Sequence, residues 1–227
     1  MKVKLISYSK PSSELLEEGL GNVQDLIAFC ARVSNPSNQL NMETADKLIR
    51  YLIKHKHWSP LEMVSACLEI ETTRDIARQI LRHRSFSFQE FSQRYADPTK
   101  DLDFVLREAR LQDPKNRQNS IPLGDTLGDA NLQEEWNYRQ KAVIDLVKAN
   151  YEWAVKNGIA KEQARAILPE GNTVSRLYMN GTLRSWVHFI ELRSANGTQA
   201  EHMEVARECA RVIAEIFPMS LDYVQSQ

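Results

Sequence analysis

The chain has 227 residues, with 29 Lys and Arg against 30 Asp and Glu for a formal net charge of -1. That length allows one large domain with a real core. Its 42% hydrophobic and 26% charged residues are ordinary for a globular protein, and no run of about 18 apolar residues offers a membrane-spanning helix. Balanced charge argues against general binding to a nucleic-acid polymer, which draws on a basic excess to displace counterions. Cations gathered locally suit a small anion better.

The opening "MKVKLISYSK" has too short an apolar core for a signal peptide, and its alternation predicts a strand at about 2 to 8. "NVQDLIAFCARVS" and "METADKLIRYLIKHKH" carry apolar residues at helical spacing. "MVSACLEIETT" predicts a strand with Val64, Ala66, Leu68 and Ile70 on one face. Thr72 or Thr73 then caps a short helix whose buried stripe is Ile76, Ala77, Ile80 and Leu81. Residues 97 to 128, rich in Pro, Asp, Asn and Gly, predict loops with one strand near Phe104. A long amphipathic helix follows from about 129 and ends at Gly158, a C-terminal cap glycine. "KEQARAIL" is a short helix and "TVSRLYMNGT" a strand. "LRSWVHFIELRS" returns to helical spacing, and "QAEHMEVARECARVIAEIF" forms a last helix stopped by Pro218. No repeat or linker divides the chain. The expectation is a single domain over 1–227, of α/β (α+β) class, helix-rich around a central mixed or antiparallel sheet.

Cys30, Cys67 and Cys209 lie far apart in apolar segments with no CxxC, which reads as structural thiols in a reducing, cytoplasmic compartment. The histidines show no metal-ligand spacing, so no metal is expected, and His202 reads as a surface or half-buried residue. The four tryptophans read as core or interface anchors, and 133 to 148 as a solvated helix face.

Chemistry concentrates in "RHRSFSFQEFSQRY", residues 82 to 95. Arg82, His83 and Arg84 fall at a helix C-terminus, where cations complement the dipole. Ser85, Ser87 and Gln89 then alternate with Phe86 and Phe88, while Glu90, Ser92 and Arg94 keep the same spacing on the opposite parity. Guanidinium forks match phosphate oxygens, a hydroxyl adds a donor, and a carboxylate can fix the arginines or accept from a sugar hydroxyl. Interleaved Phe86, Phe88, Phe91 and Tyr95 are not what a solvated polar loop needs. The residues alone leave two readings open. One is an enzyme site for phosphorylated ligands; the other is a nucleotide- or RNA-binding module that stacks bases on the phenylalanines.

This segment resembles the signature of the flavin-dependent thymidylate synthases: "RHR", seven residues, then Ser92 within "QEFSQRY", where Gln89 stands in place of the usual asparagine. Further similar segments follow the family's order: "HKHWSPLE" (55 to 62), "RQILRHR" (78 to 84), "ARAILP" (164 to 169) and "LRSWVHFIELRS" (183 to 194). The resemblance spans roughly residues 1 to 220. It implies the fold of the thymidylate synthase complementing proteins and conversion of dUMP to dTMP. Methylenetetrahydrofolate is then the carbon donor, FAD the hydride carrier and NADPH the reductant, in a homotetramer that shares its active sites between subunits.

By the same resemblance, FAD is held by His57, Ser59, Arg82, His83, Arg84, Glu90, Thr182, Leu183, Arg184 and His188. His188 stands where asparagine occurs in other members; either side chain can donate. dUMP is held by Gln79, Arg82, Glu90, Phe91, Ser92, Gln93, Arg94, Arg165 and Arg193, and Arg193 is the catalytic residue, a cation beside the uracil ring that stabilises charge developing there. A serine nucleophile needs an adjacent base and an orienting group, which the sequence does not supply for Ser92. The expectation is therefore a mechanism without an enzyme nucleophile, in which Ser92 helps bind phosphate.

Overall fold

The computed structural model describes residues 1–225. The predicted alternation becomes strand β1 (Lys2–Tyr8), and β2 (Ser65–Thr73) pairs with it antiparallel. Ala66, Leu68 and Ile70 of β2 are buried, while Cys67, Glu69 and Glu71 on the other face are only partly covered. Three more short strands are β3 (Ser87–Glu90) and the separate hairpin β4 (Arg110–Gln112) with β5 (Ser120–Pro122). The last, β6 (Val174–Thr182), is central: it pairs with β2 from Ser65↔Thr182 to Thr73↔Val174 and with β3 on its other side. The sheet order is β1-β2-β6-β3 with every pairing antiparallel.

The helices are α1 (Ser13–Glu17), α2 (Val23–Ala31), α3 (Ala45–Lys54), α4 (Arg74–Ile80), α5 (Pro98–Asp101), α6 (Leu127–Lys156), α7 (Lys161–Ala164), α8 (Leu183–Arg193) and α9 (Ala200–Ile213). α2, α3, α4, α8 and α9 lay their apolar stripes on the inner face of the sheet and form one core with Leu68, Ile70, Leu177 and Met179. Trp186 of α8 sits at its centre, wholly buried, its indole N–H donating to Ala66 O at 3.0 Å. Phe86 packs edge-on against that indole, ring centroids 4.8 Å apart. The ring lies so close over Gly181 that a Cβ there would meet it at 2.4 Å.

A smaller cluster of Val147, Tyr151, Ala154, Ala164 and Leu168 joins α6 to α7 and the 3₁₀ turn Arg165–Ile167 that follows it, with Phe104 against it. Gly158, at φ 79°, follows the end of α6 in the left-handed conformation expected of a terminating glycine. Two expectations are corrected. Phe104 makes an isolated bridge to Thr173 and no strand, whereas the region contains α5 and the β4–β5 hairpin, elements too short to show a period. Thr73 is the N-cap of α4, but its hydroxyl donates to Asp75 Oδ1 at 2.6 Å. The helix's first N–H groups are satisfied by Thr173 O and Glu170 O instead. Among the tryptophans, Trp136 and Trp153 are exposed on α6.

Candidate active site

α4 stops at Ile80, and the chain turns sharply through Arg82, His83, Arg84 and Ser85 before entering β3. Phe86 anchors this turn from below. Arg82 and Arg84 are exposed, and among the described residues neither side chain has a hydrogen bond or ion pair; they are two free guanidinium forks. His83 is drawn inward, edge-on to Phe189 at 5.0 Å between centroids. Arg193, at the C-terminal end of α8, donates its Nε–H to His83 Nε2 at 2.9 Å. Burial, then the charges of Arg193 and Arg82, lower the His83 pKa to about 4. Burial and Arg82 also lower that of Arg193. The ring is therefore neutral at physiological pH. Because an arginine only donates, His83 Nε2 accepts and its proton sits on Nδ1.

The N-terminal half of α8 forms a second wall. Thr182 caps it, its hydroxyl accepting from Ser185 N at 3.3 Å, and Leu183 lies in the core with its N–H on Val64 O at 2.9 Å. Arg184 pairs with Glu62, which ends the 3₁₀ turn Ser59–Glu62. His188 is exposed and stacks obliquely on Trp58, 4.5 Å between centroids, with His57 and Ser59 exposed beside that ring in sequence. Ser185 Oγ donates to Ser85 O at 3.2 Å, tying this wall to the arginine turn.

At the far end of β3 lies a third group. Arg94 reaches the Glu162 carboxylate at 3.6 Å, and Arg165 donates from Nε to Glu162 O at 3.3 Å, so both guanidinium groups gather at α7. Among the described residues, Ser92 Oγ accepts only the Arg94 N–H, at 3.4 Å. Glu90 points inward, accepting from Ser175 Oγ at 2.8 Å with Arg74 at 3.7 Å. Phe91 is half-buried with its N–H on Arg176 O at 2.8 Å. Gln93 is buried, its amide nitrogen unpartnered. Gln79 is occupied at both ends of its amide, by Gln199 and by His202.

One chain therefore brings His83, Arg193 and Gln79 together, and Arg94 with Arg165. His83 precedes β3 and Arg94 follows it, so the two sets flank that strand. The two sets offer cations for anionic groups at two places. Among the described residues, none of the candidate nucleophiles Ser92, Cys67 and Cys209 has a hydrogen-bonded base. Ser92 lacks a base, His83 Nε2 is engaged by Arg193, and burial pushes the thiols of Cys67 and Cys209 up. Among the described residues there is also no group of three or more His, Cys, Asp or Glu able to hold a metal, and no helix long and apolar enough to cross a membrane.

Sequence reasoning misplaced His202, which is wholly buried against the site. A signal was present: His202 continues the apolar stripe Val205, Ala206 and Cys209 at helical spacing. Ser175 and Gln199 were missed as well, and Trp58 was read only as an anchor, since nothing in their local sequence points at a partner far along the chain.

A family model described as thymidylate synthase complementing protein matches residues 15–219. The chain is 47% identical over 227 residues to a probable flavin-dependent thymidylate synthase of Paramecium bursaria Chlorella virus 1, covering 99% of this chain and 100% of that one. It is 48% identical over 218 residues to the flavin-dependent thymidylate synthase of Synechocystis sp., with 96% of each covered. Among solved structures, the UMP/dUMP methylase PolB of Streptomyces cacaoi bound with 5-Br dUMP shares the fold. The TM-score is 0.77 at 24% identity, over 98% of this chain and 93% of that one.

Proposed function

Since this chain belongs to the thymidylate synthase complementing protein family, we propose that its arginine-lined cleft is the active site of a flavin-dependent thymidylate synthase. The enzyme methylates dUMP to dTMP with FAD as cofactor. Methylenetetrahydrofolate supplies the carbon and NADPH the reducing equivalents. The observation that carries this reading is the Arg82–His83–Arg84 turn set against Arg193, a cluster of cations in a chain of net charge -1.

The donor set fits FAD. Arg82 and Arg84 are uncommitted forks for a pyrophosphate, and Arg184, His188 and Trp58 offer a charged and aromatic wall for a flat ring system. Thr182 and Leu183 shape that wall from the start of α8. His57 and Ser59 add polar groups beside it. Bound there, the flavin supplies hydride transfer; the protein binds, orients and excludes water.

For dUMP, Arg94, Arg165 and Ser92 take the phosphate, displacing the weak contacts to Glu162. Arg193 presents its remaining N–H groups to the uracil oxygens and stabilises negative charge developing on the ring. Its Nε is already held by neutral His83, so the guanidinium is tethered at one point before the ligand arrives. Glu90 orders Ser175 and Arg74, and Phe91 and Gln93 shape the floor beneath. The reaction needs no enzyme nucleophile.

The homotetramer is part of this proposal. On α6 a stripe flanking the core-facing side carries Leu132, Trp136, Val143, Leu146 and Trp153, all exposed, at the three-four spacing by which helices pack on each other. A second chain packed there would also bring a second set of groups toward clefts that one chain leaves open. The single catalytic domain is placed in the cytoplasm, in keeping with three free cysteines.

The test is a visible spectrum of the purified protein, titrated anaerobically with NADPH with and without dUMP. An oxidised-flavin spectrum that bleaches faster with dUMP is expected. A colourless protein that takes up no added FAD would overturn the reading and favour a nucleotide- or RNA-binding module.

A further inference from the structure

His202 lies in the first turn of α9, wholly buried, its ring centroid 6.3 Å from that of His83 and 5.8 Å from that of Phe189. Its Nδ1 is 3.2 Å from Gln79 Oε1, and its Nε2 has no hydrogen-bond partner. Buried polar atoms are nearly always paired, so an orphan asks for a reason.

The polarity of the bonds reaching this ring is set from their far end. Arg107, at 3.0 Å, and Arg110 grip the Glu201 carboxylate. Burial opposes its charge, but its own backbone N–H and Arg107 hold its pKa below the usual carboxylate range. An ionised carboxylate only accepts, so the Gln199 group 2.9 Å from it is the amide NH₂. Gln199 Oε1 is then left to accept from Gln79 Nε2 at 2.8 Å. Gln79 in turn shows its oxygen to His202, whose Nδ1 must carry the proton. The chain Glu201–Gln199–Gln79–His202 runs with one polarity, anchored by a charge, and it leaves His202 Nε2 as a bare lone pair. On the other side of the site Arg193 forces the same tautomer on His83. The charge of Arg193 also bears on both rings: burial first, then Arg193, lowers the His202 pKa to about 3.

We propose that His202 is a positioning residue whose free Nε2 accepts a second hydrogen bond from Arg193 once dUMP is bound, fixing the guanidinium plane against the pyrimidine. Arg193 has four N–H donors beyond the one spent on His83, and a cation held at two points keeps its plane while charge develops next to it. The carboxylate-anchored chain keeps that acceptor unprotonated throughout turnover. This inference rests on the thymidylate synthase reading.

The test is ¹⁵N NMR of the full-length, histidine-labelled protein, with His202 assigned by substitution. A single Nδ1–H tautomer is expected, with a pyridine-type Nε2 resonance that shifts upfield when dUMP is added. Glu201→Gln should introduce the second tautomer. Among variants, His202→Gln can restore an acceptor near the Nε2 position and His202→Asn a donor near Nδ1. With His202→Asn, kcat should fall roughly tenfold to a hundredfold while the KM for dUMP changes little, and His202→Gln should recover part of the loss. A protonated Nε2, a resonance unmoved by bound dUMP, or His202→Asn turning over faster than His202→Gln would each overturn the proposal. If the variants fail to fold, the wild-type spectra decide alone. A chain that binds no dUMP by calorimetry would instead sink the functional reading, leaving the tautomer in the free protein to be read as before.

Discussion

Arg193 Nε and His83 Nε2 stand 2.9 Å apart, and this contact joins the last turn of α8 to the arginine turn that follows α4. It makes a neutral imidazole the support of a partly buried cation. Were His83 protonated, it could no longer accept, and two positive charges would face each other with little solvent between them.

The sign of the pH dependence follows. His83 and His202 have folded pKa values near 4 and 3, against an ordinary 6.5, so below pH 6.5 the unfolded chain binds protons that the folded chain refuses. Their contribution to stability is complete above pH 6.5 and is lost as pH falls from there toward 4 and then 3. Melting temperature measured from pH 7.5 to 4.5 should decline through this window. His202→Gln should make the decline shallower; an unchanged slope would show that the ring titrates normally in the fold.

Arg193→Lys keeps a charge but loses both the Nε donor to His83 and the planar fork. Turnover of dUMP should drop by about 10²-fold or more, the usual effect of removing a fixed donor from a developing anion. Flavin content should stay within error of wild type. Anaerobic single-turnover formation of dTMP reads the effect directly.

Ser92 and Arg94 should behave as phosphate ligands. Arg94→Ala should weaken dUMP by about tenfold or more, as expected for a charge-assisted contact of 1.5–3 kcal/mol. It should also narrow the gap between dUMP and deoxyuridine, which lacks the phosphate. Ser92→Ala should still form dTMP in a single turnover. Complete loss of product with dUMP affinity intact would restore the serine as a nucleophile.

Gly181→Ala puts a methyl 2.4 Å from the Phe86 ring. That overpacking should cost about 1–3 kcal/mol, seen as a lower midpoint in urea. Phe86→Leu in the same chain should recover part of it, since the clash is with the ring alone.

Leu146→Asp places a charge in the exposed stripe of α6. Sedimentation should show smaller species than wild type, and flavin binding should weaken with them if the cleft is completed by another chain. A monomeric wild type would remove the assembly from the proposed function.

The sequence by itself determined the periodic elements. β1, β2, β6 and the helices over 23–31, 45–54, 127–156, 183–193 and 200–213 were legible because each repeats a burial pattern over two or more turns or pleats. It also carried the cations of residues 82 to 95, whose density in a chain of balanced charge already pointed to anions. Tertiary structure decided the rest. α5, β4 and β5 are too short to show a period, and the cap of α4 comes from Thr173 and Glu170, about a hundred residues away. Whether a histidine on an apolar stripe is buried, and which nitrogen holds its proton, depends on groups that meet only when α4, α8 and α9 pack on one sheet. His202 read as a surface residue because local sequence reports which face a side chain takes and not what covers that face. Arg193 acquired its partner, and His83 its tautomer, from a contact spanning 110 positions in the chain.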